Sequence, residues 1–270
     1  MRLISWNMGC AYGSRYKQSN PRTWRQLLAW EPDIALVQET LHPGGHLDPD
    51  TFLFSPYGWC TDQGRQIGTL VYSRTGGLRQ PDTSGQFLPV LPGQVTLAEL
   101  RIGDTDVPML LASVHADTRA VDRALLNGHD LDGVAGSHTT KIYPVDLILA
   151  ELAAITPGRR FIIGGDLNVS VRFDDRYTRG SDLYGSVEWF GKARDAGWRN
   201  AHRKFHAGDQ RTLFRPGKPD EHFQIDHLFS DHDTWAELSR CDVLAVPLLE
   251  EFTDHAPLLL QLGTRQDAGR

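Results

Sequence analysis

Short, mainly apolar runs that end in polar side chains recur along this sequence and restrict the folds open to it. The clearest runs are Leu3–Trp6, Ile34–Val37, Met109–Val114 and Phe161–Ile163. Runs of this length predict buried β-strands. Two amphipathic segments, 21–30 and 144–155, alternate with these strands and predict helices that cover a sheet. The chain is therefore expected to form packed sheets with helices on their outer faces.

Further segments fit the same plan. The ranges 67–73 and 95–102 predict strands separated by turns, as in a meander or a sandwich. The ranges 116–143 and 171–187 predict long loops with short helical parts, either functional or simply solvated. Neither a repeat nor a linker divides the sequence, so we expect one domain over residues 1–265.

Composition excludes several classes of protein. The 270 residues are 40% hydrophobic and 23% charged, which is typical of a globular protein and excludes disorder as the main state. A formal net charge of -6 argues against nucleic-acid binding through bulk positive charge, so phosphate binding must be local or assisted by a metal. Three scattered cysteines indicate thiols rather than a disulfide framework. We find neither a signal-peptide pattern nor a membrane span in the sequence, so we expect a cytoplasmic protein. We also expect no obligate protein partner.

Polar residues at predicted strand ends suggest a reactive site. Asp166 and Asn168 follow an apolar strand and two glycines, so a carboxylate and an amide lie on one side of an extended segment. The glycines allow another group to approach the backbone closely. Asp226 and Asp254 also lie at the edges of predicted strands. One such placement is common in turns, but their repetition predicts a shared site.

The residue types narrow the chemistry of this site. Its oxygen-bearing members are Asn7, Glu39, Asp166, Asn168, Asp226 and Asp254. Hard oxygen ligands without a thiolate favour Mg²⁺, with Mn²⁺ as a substitute, and such sites commonly serve phosphate chemistry. His115 and His255 are candidates to contact phosphate or to transfer protons, with a structural role as the alternative for each.

Six motifs in order resemble the endonuclease/exonuclease/phosphatase superfamily of Mg²⁺-dependent phosphoesterases. They are Ser-Trp-Asn at 5–7, Val-Gln-Glu at 37–39, Ser-Val-His at 113–115, Gly-Gly-Asp-Leu-Asn at 164–168, Ile-Asp-His at 225–227 and Thr-Asp-His-Ala-Pro at 253–257. The resemblance implies an α+β fold, a four-layer α/β/β/α sandwich like that of deoxyribonuclease I. It places the active site at one edge of the two sheets.

The resemblance also implies a metal-binding side of the site. Glu39 would be the principal Mg²⁺ ligand, Asn7 would position ligands or phosphate, and Asp254 would complete the acidic cluster. Thr212 resembles the threonine that precedes the Asp226 strand in relatives, through a looser match.

The remaining residues acquire catalytic roles through the same resemblance. Asp166 would orient or deprotonate the attacking water, and Asn168 would donate a hydrogen bond to a phosphoryl oxygen. Asp226 would hold His255 in its useful tautomer. His115 would contact the phosphate and protonate the leaving oxygen.

Two departures leave the subfamily open. Apurinic endonucleases of the superfamily usually carry tyrosine where this chain has His115. Deoxyribonuclease I pairs its histidine with a glutamate, whereas the matching segment here, 64–69, contains no carboxylate. The sequence therefore favours a nuclease that cleaves DNA or RNA, with a phosphatase or phosphodiesterase of a small metabolite or lipid head group as the alternative. A catalytically silent binding module is disfavoured by the complete set of candidate residues.

Overall fold

The computed structural model describes residues 1–270 except 11–19, 61–63, 83–84, 86, 103–106, 133, 135–140, 178–184, 216, 219–220, 247–248, 250–252 and 264–270. The described strands are β1 (Arg2–Asn7), β2 (Ile34–Leu41), β3 (Phe52–Cys60), β4 (Gln66–Ser73), β5 (Val95–Leu100), β6 (Met109–His115), β7 (Phe161–Asp166), β8 (Arg199–Asn200), β9 (Asp226–Ser230), β10 (Leu238–Val243) and β11 (Leu258–Leu262). The described α-helices are α1 (Asn20–Ala29), α2 (Pro144–Ile155), α3 (Val171–Arg176), α4 (Ser186–Asp195) and α5 (His232–Glu237).

These strands form two mixed sheets, ordered β10-β11-β1-β2-β4-β3 and β5-β6-β7-β9-β8. β1 runs parallel to β2, and β6 runs parallel to β7. Parallel neighbours require a crossover, and α1 and α2 lie in the two connecting segments. Because parallel strands end at the same edge of a sheet, His115 and Asp166 end β6 and β7 side by side, and Asn7 at the end of β1 lies opposite Gln38 near the end of β2.

Three apolar cores hold the layers together. The core between the sheets includes Leu36 from the first sheet and Leu111 and Leu228 from the second. Trp24 of α1 packs on the outer face of the first sheet, and Trp189 of α4 packs with α2 on the outer face of the second. The layers therefore run α/β/β/α, which confirms the predicted four-layer α+β sandwich.

Polar contacts fix one sheet against the other close to the strand ends. The Gln38 side-chain amide donates to Ser113 Oγ at 2.9 Å, and that hydroxyl donates to the Val37 carbonyl at 2.8 Å. Gly165 leaves room for the Gln38 side chain of the first sheet, because a Cβ added at Gly165 would lie 2.9 Å from Gln38 Nε2. The interpretation that glycines before Asp166 allow close backbone approach agrees with this geometry.

The predicted strands and the two predicted helices are present. In the range 171–187, which was predicted to be a loop, the described residues form α3 and the start of α4. The Asp174 carboxylate of α3 accepts from the backbone N–H groups of Gly185, Ser186 and Val187, so it caps the first turn of α4. Among the described residues of 116–143, the regular element is a short 3₁₀ helix at Arg123–Leu126.

Cys10 and Cys241 are buried free thiols, in line with the expectation from the sequence. None of the helices in the described ranges has the length and apolar character needed to cross a bilayer. The domain limits of 1–265 and the cytoplasmic location stay predictions.

Candidate active site

The second sheet brings three of the candidate residues into one row. His115 on β6 is directly opposite Asp166 on β7, which is directly opposite Asp226 on β9. Directly opposed residues project from the same face of a sheet. All three side chains are buried. The strand-end pattern in the sequence therefore corresponds to one continuous set of groups at the sheet edge.

The first sheet contributes Asn7 and Glu39 to the same place. The Asn7 amide nitrogen lies 3.1 Å from Glu39 Oε1 and 3.0 Å from Asp166 Oδ2, while its oxygen accepts from the Gly9 N–H at 2.8 Å. The β2–β4 ladder is irregular between Val37 and Thr40, and Glu39 there has φ +46°. Positive φ is uncommon outside glycine and often marks functional positions. Asn7 thus joins one carboxylate from each sheet.

His255 completes the cluster from the segment before β11. Its Nδ1 lies 3.0 Å from Asp226 Oδ2, and its Nε2 lies 3.8 Å from Asp166 Oδ2. A carboxylate only accepts, so Nδ1 carries a proton and Nε2 faces the other carboxylates. The backbone carbonyl of His255 accepts from the Trp6 indole at 2.8 Å, which fixes this segment to β1.

Thr212 has a clear structural position. It is fully buried, and its hydroxyl accepts from the backbone N–H groups of Ile225 and Asp226 at 3.1 and 3.2 Å. Its carbonyl accepts from the Ala256 N–H at 2.8 Å. Thr212 therefore joins the start of β9 to the turn that carries His255, and both halves of the Asp226–His255 pair depend on it.

Asn168 and Asp254 lie at the rim of this cluster. Asn168 has φ +52°, and its side-chain nitrogen donates to the Ala116 carbonyl at 2.9 Å. Asp254 is partly exposed, and its Oδ1 lies 3.8 Å from His255 Nε2. The structure therefore brings all eight candidate residues to one edge of the two sheets.

Burial and charge set the ionisation of the buried groups. Burial raises the pKa of Asp166 to about 7, and the neighbouring carboxylates add to this effect. Burial also acts to raise the pKa of Glu39, but His115 outweighs it and lowers that pKa to about 2. Although burial opposes protonation of His255, the Asp226 and Asp166 carboxylates raise its pKa well above the usual value. Glu39 is therefore ionised, while Asp166 titrates near neutrality.

Tyr57 is a member of the site that the sequence did not reveal. It lies in the middle of β3, and its hydroxyl hydrogen-bonds to His115 Nδ1, while His115 Nε2 lies 3.0 Å from Glu39 Oε1. Nothing in the segment Phe52–Cys60 separates Tyr57 from other strand aromatics. Only the packing of the two sheets places it beside His115, and it lies outside the segment 64–69 in which the resemblance led us to look for a carboxylate.

We expect Tyr57→Phe to reduce kcat several-fold while the free energy of unfolding changes by about 1 kcal/mol, the net value of one hydrogen bond. The ring remains, so His115 loses only the group that orients it. Steady-state kinetics and thermal unfolding measure the two effects. Tyr72→Phe on β4, equally buried but away from His115, is the control, and equal kinetic losses in both variants would remove Tyr57 from the site.

The cluster forms the floor of an open groove of about 310 Å³. Its wall includes Asp117, Thr118 and Arg215 as well as the candidate residues. Arg215 lies 3.5 Å from Glu221, and Asp117 is paired with Arg119 at 2.6 Å. In the predicted loop 116–143, the charge of Arg119 is thus offset by Asp117. The groove therefore has more carboxylates than arginines. This excess of carboxylates would by itself repel an anionic ester.

The donor set fits a divalent cation. Two groups of three residues each have potential ligand atoms within 4.8 Å of one another. The first group is Glu39, His115 and Asp166, and the second is Asp166, Asp226 and His255. Buried carboxylates without enough cationic partners are costly, and a cation offsets that cost. The predominance of carboxylate oxygen suits hard ions such as Mg²⁺ or Mn²⁺.

A family model described as the Endonuclease/Exonuclease/phosphatase family matches residues 4–255. The chain belongs to this family. The match includes all eight candidate residues and extends from β1 to His255. Members of the family hydrolyse phosphoester bonds, so the chain is a phosphoester hydrolase. The resemblance drawn from the six motifs is thereby confirmed.

Solved structures show the same architecture at low sequence identity. An AP endonuclease from Leishmania major is 16% identical with a TM-score of 0.66, covering 97% of this chain and 87% of its own. A 3'-5' exonuclease from Neisseria meningitidis is 17% identical with a TM-score of 0.67, covering 98% of this chain and 100% of its own. No curated protein sequence matches at a significant level. These likenesses establish the fold shared with the family.

Proposed function

We propose that this family member is a Mg²⁺-dependent nuclease that hydrolyses a phosphodiester by in-line attack of water. The observation that carries the proposal is the position of Asp166 Oδ2. This atom lies 3.0 Å from the Asn7 amide and within 4 Å of a ring nitrogen of both His115 and His255. A carboxylate that titrates near neutrality, flanked by two imidazoles, is suited to general-base catalysis.

The metal-binding part of the proposal rests on the anionic groove. Glu39 and Asp254 would hold the cation with oxygen ligands, and the Asn7 amide would fix the positions of Glu39 and Asp166 by donating hydrogen bonds to both. When bound, the cation would offset charge on the phosphate and favour ionisation of water. Since the groove carries more carboxylates than cationic side chains, binding of an anionic ester depends on this compensation.

The chain's own residues would perform the proton transfers. Asp166 accepts a proton from the attacking water while the oxygen of that water forms its bond to phosphorus. An Asn168 N–H stabilises the phosphoryl oxygen on which charge develops. As the bond to the leaving oxygen breaks, His115 donates a proton to that oxygen, and Tyr57 holds the ring in place. His255, oriented by Asp226, donates from Nε2 to the phosphate.

The substrate class is the finer part of the proposal. The two similar structures named above, an AP endonuclease and a 3'-5' exonuclease, support a nucleic-acid substrate. A second candidate is a phosphatase, because another similar structure, 16% identical, is described as a 3' phosphatase bound to product DNA hairpin. Cleavage of plasmid, single-stranded DNA and RNA, compared with phosphate release from 3'-phosphorylated DNA, nucleotides and sugar phosphates, separates the two. Release of phosphate with every phosphodiester left intact would reject the nuclease.

Glu39→Gln is expected to weaken Mg²⁺ binding at least as much as the loss of a residue that supports a metal ligand, which costs about 10- to 100-fold in affinity. The amide keeps the shape of the side chain but removes the charge that attracts the cation. The Mg²⁺ concentration for half-maximal activity measures the effect. A second readout is the rise in Tm with added Mg²⁺, because a ligand at 100 times its Kd stabilises by about 2.7 kcal/mol.

Glu99→Gln is the matched control, since Glu99 lies on β5 at the opposite end of the β5–β6 ladder from His115. We expect this variant to keep both the Mg²⁺ dependence and the Tm shift of the wild type. An unchanged Mg²⁺ titration in Glu39→Gln would exclude Glu39 as a ligand and would shift attention to Asp254.

A further inference from the structure

A cluster of basic residues surrounds the buried side chain of Glu221 beside the active-site groove. Glu221 Oε1 lies 3.1 Å from Arg176 Nη2 and 3.4 Å from Lys218 Nζ. Its Oε2 lies 3.5 Å from Arg215 Nη1. The three cationic side chains are about half exposed, and within the described part of the chain they have no other acidic partner. Three cations thus share one carboxylate, which leaves a surplus of positive charge at the surface.

Hydrogen bonds hold the described residues of the segment 211–221 in place. The Lys218 N–H donates to the Arg215 carbonyl at 3.2 Å, and the Glu221 N–H donates to the Lys218 carbonyl at 3.2 Å. The Arg211 guanidinium donates to the carbonyls of Leu213 and Lys218 at 2.9 and 3.3 Å. Because the backbone around the cations is already fixed, a ligand that binds them has little ordering entropy to overcome.

Arg215 connects this basic cluster with the active-site groove. Leu213 and Arg215 both line the groove, as expected of positions two apart in an extended segment. Leu213 forms a β-bridge with His255, and the Phe214 N–H donates to the Asp254 carbonyl at 2.7 Å. The guanidinium of Arg215 therefore belongs to the side of the groove that carries Asp254 and His255.

Arg215 is the cation that is held least firmly by Glu221. Its 3.5 Å distance is the longest of the three, and Glu221 Oε2 accepts no hydrogen bond from the described protein atoms. If Arg215 turns towards an anion in the groove, Arg176 and Lys218 still balance the buried carboxylate. Exchange of Glu221 for a phosphate therefore sacrifices no hydrogen bond and gains charge-assisted ones.

The extent of the positive surface favours a long anion over a small ester. Arg215 lines the groove, whereas Arg176 and Lys218 continue the positive surface beyond the groove lining. A small ester would occupy the groove alone, but a nucleic-acid strand carries phosphates at regular intervals and would reach the rest of the surface. Since the chain has a formal net charge of -6, it can hold a strand only through a local surface of this kind.

We infer that Arg215 binds the phosphate next to the scissile phosphodiester of a nucleic-acid strand, and that Arg176 and Lys218 bind phosphates farther along it. The inference rests on the proposed nuclease function and adds the part of the strand that the protein holds outside the reacting centre. Phosphate contacts fix the register of a strand and add affinity, but they do not read its sequence.

Fluorescence anisotropy of labelled oligothymidylate measures strand binding apart from cleavage. Ca²⁺, another hard cation with oxygen ligands, replaces Mg²⁺, and a gel checks that the strand stays intact. Arg215→Gln should raise the Kd of the strand about tenfold, through loss of one charge-assisted contact. It should also reduce the slope of log Kd against log salt concentration by about 0.7, the value for one phosphate contact of a single strand.

Three comparisons make this test specific. Arg215→Lys keeps the charge and should keep the salt slope. Arg194→Gln, which alters an exposed arginine of α4 that also lies 3.5 Å from a carboxylate, is the matched control and should keep the Kd and the slope of the wild type. The dinucleotide TpT, added as an unlabelled competitor, has a phosphodiester but no neighbouring phosphate, so Arg215→Gln should weaken it less than it weakens the strand.

Each contrary result has a distinct meaning. An unchanged Kd and slope in Arg215→Gln, or an equal loss in Arg194→Gln, would overturn the inference. An equal loss of TpT and strand would place Arg215 at the scissile phosphate, which also overturns it. A strand that binds through Arg215 but is not cleaved in Mg²⁺ would reject the nuclease and keep this surface. Cleavage by the wild type with an unchanged Kd in Arg215→Gln would do the reverse.

Discussion

Asp166→Asn is expected to lower the rate of phosphoester hydrolysis by about 10²–10⁴-fold, the contribution typical of a positioned general base. Asparagine has the same shape and can still accept a hydrogen bond from Asn7, but it cannot take a proton from water. Single-turnover cleavage in saturating Mg²⁺ measures the chemical step. Glu151→Gln, which alters a buried carboxylate on α2, is the control and should keep the wild-type rate per folded molecule.

The pH profile gives an independent check on the same residue. Burial raises the pKa of the Asp166 carboxyl to about 7, and a general base acts only when ionised. Wild-type kcat/KM should therefore rise with pH and level off at or below about 7, because a cation bound nearby lowers the pKa further. The residual activity of Asp166→Asn should lack this rise. A variant that keeps both the rate and the rise would exclude Asp166 as the base.

How far the sequence predicts this site depends on which residues lie at strand ends. His115, Asp166 and Asp226 each end or begin a strand, and the parallel pairing of β6 with β7 brings such positions to one edge. The pattern alone therefore indicated a cluster there. It did not supply the number of layers, which came from the resemblance, because periodicity reports which residues are buried and not which sheet they join.

Residues that reach the site through packing were beyond sequence reasoning. Tyr57 lies in mid-strand and meets His115 only because β3 belongs to a sheet that packs on the sheet of β6. Arg215 lies in a segment without a helix or strand, and only the folded path of the chain places it at the groove. The part that α4 plays in covering the second sheet was also missed, because the charged range before it predicted a loop.

The Asp226–His255 pair should behave as one unit in a double-mutant cycle. We expect His255→Ala and Asp226→Ala each to reduce hydrolysis by about 10²-fold or more, and the double variant to be little worse than either alone. The reason is geometric: Asp226 Oδ2 lies 3.0 Å from His255 Nδ1 and acts on the reaction only by fixing that ring. Without the ring, the carboxylate has nothing left to orient.

The chain contains a matched pair for this cycle. His206 Nε2 lies 2.9 Å from Asp242 Oδ1, but both side chains are about a quarter exposed and lie outside the groove. The same four variants at His206 and Asp242 should leave the rate unchanged. Asp226→Asn, with thermal unfolding measured alongside, separates a lost charge from a damaged fold, because Thr212 still holds the backbone of residue 226. Independent, multiplicative losses at Asp226 and His255 would mean that Asp226 acts on the substrate or the cation directly and not through the imidazole.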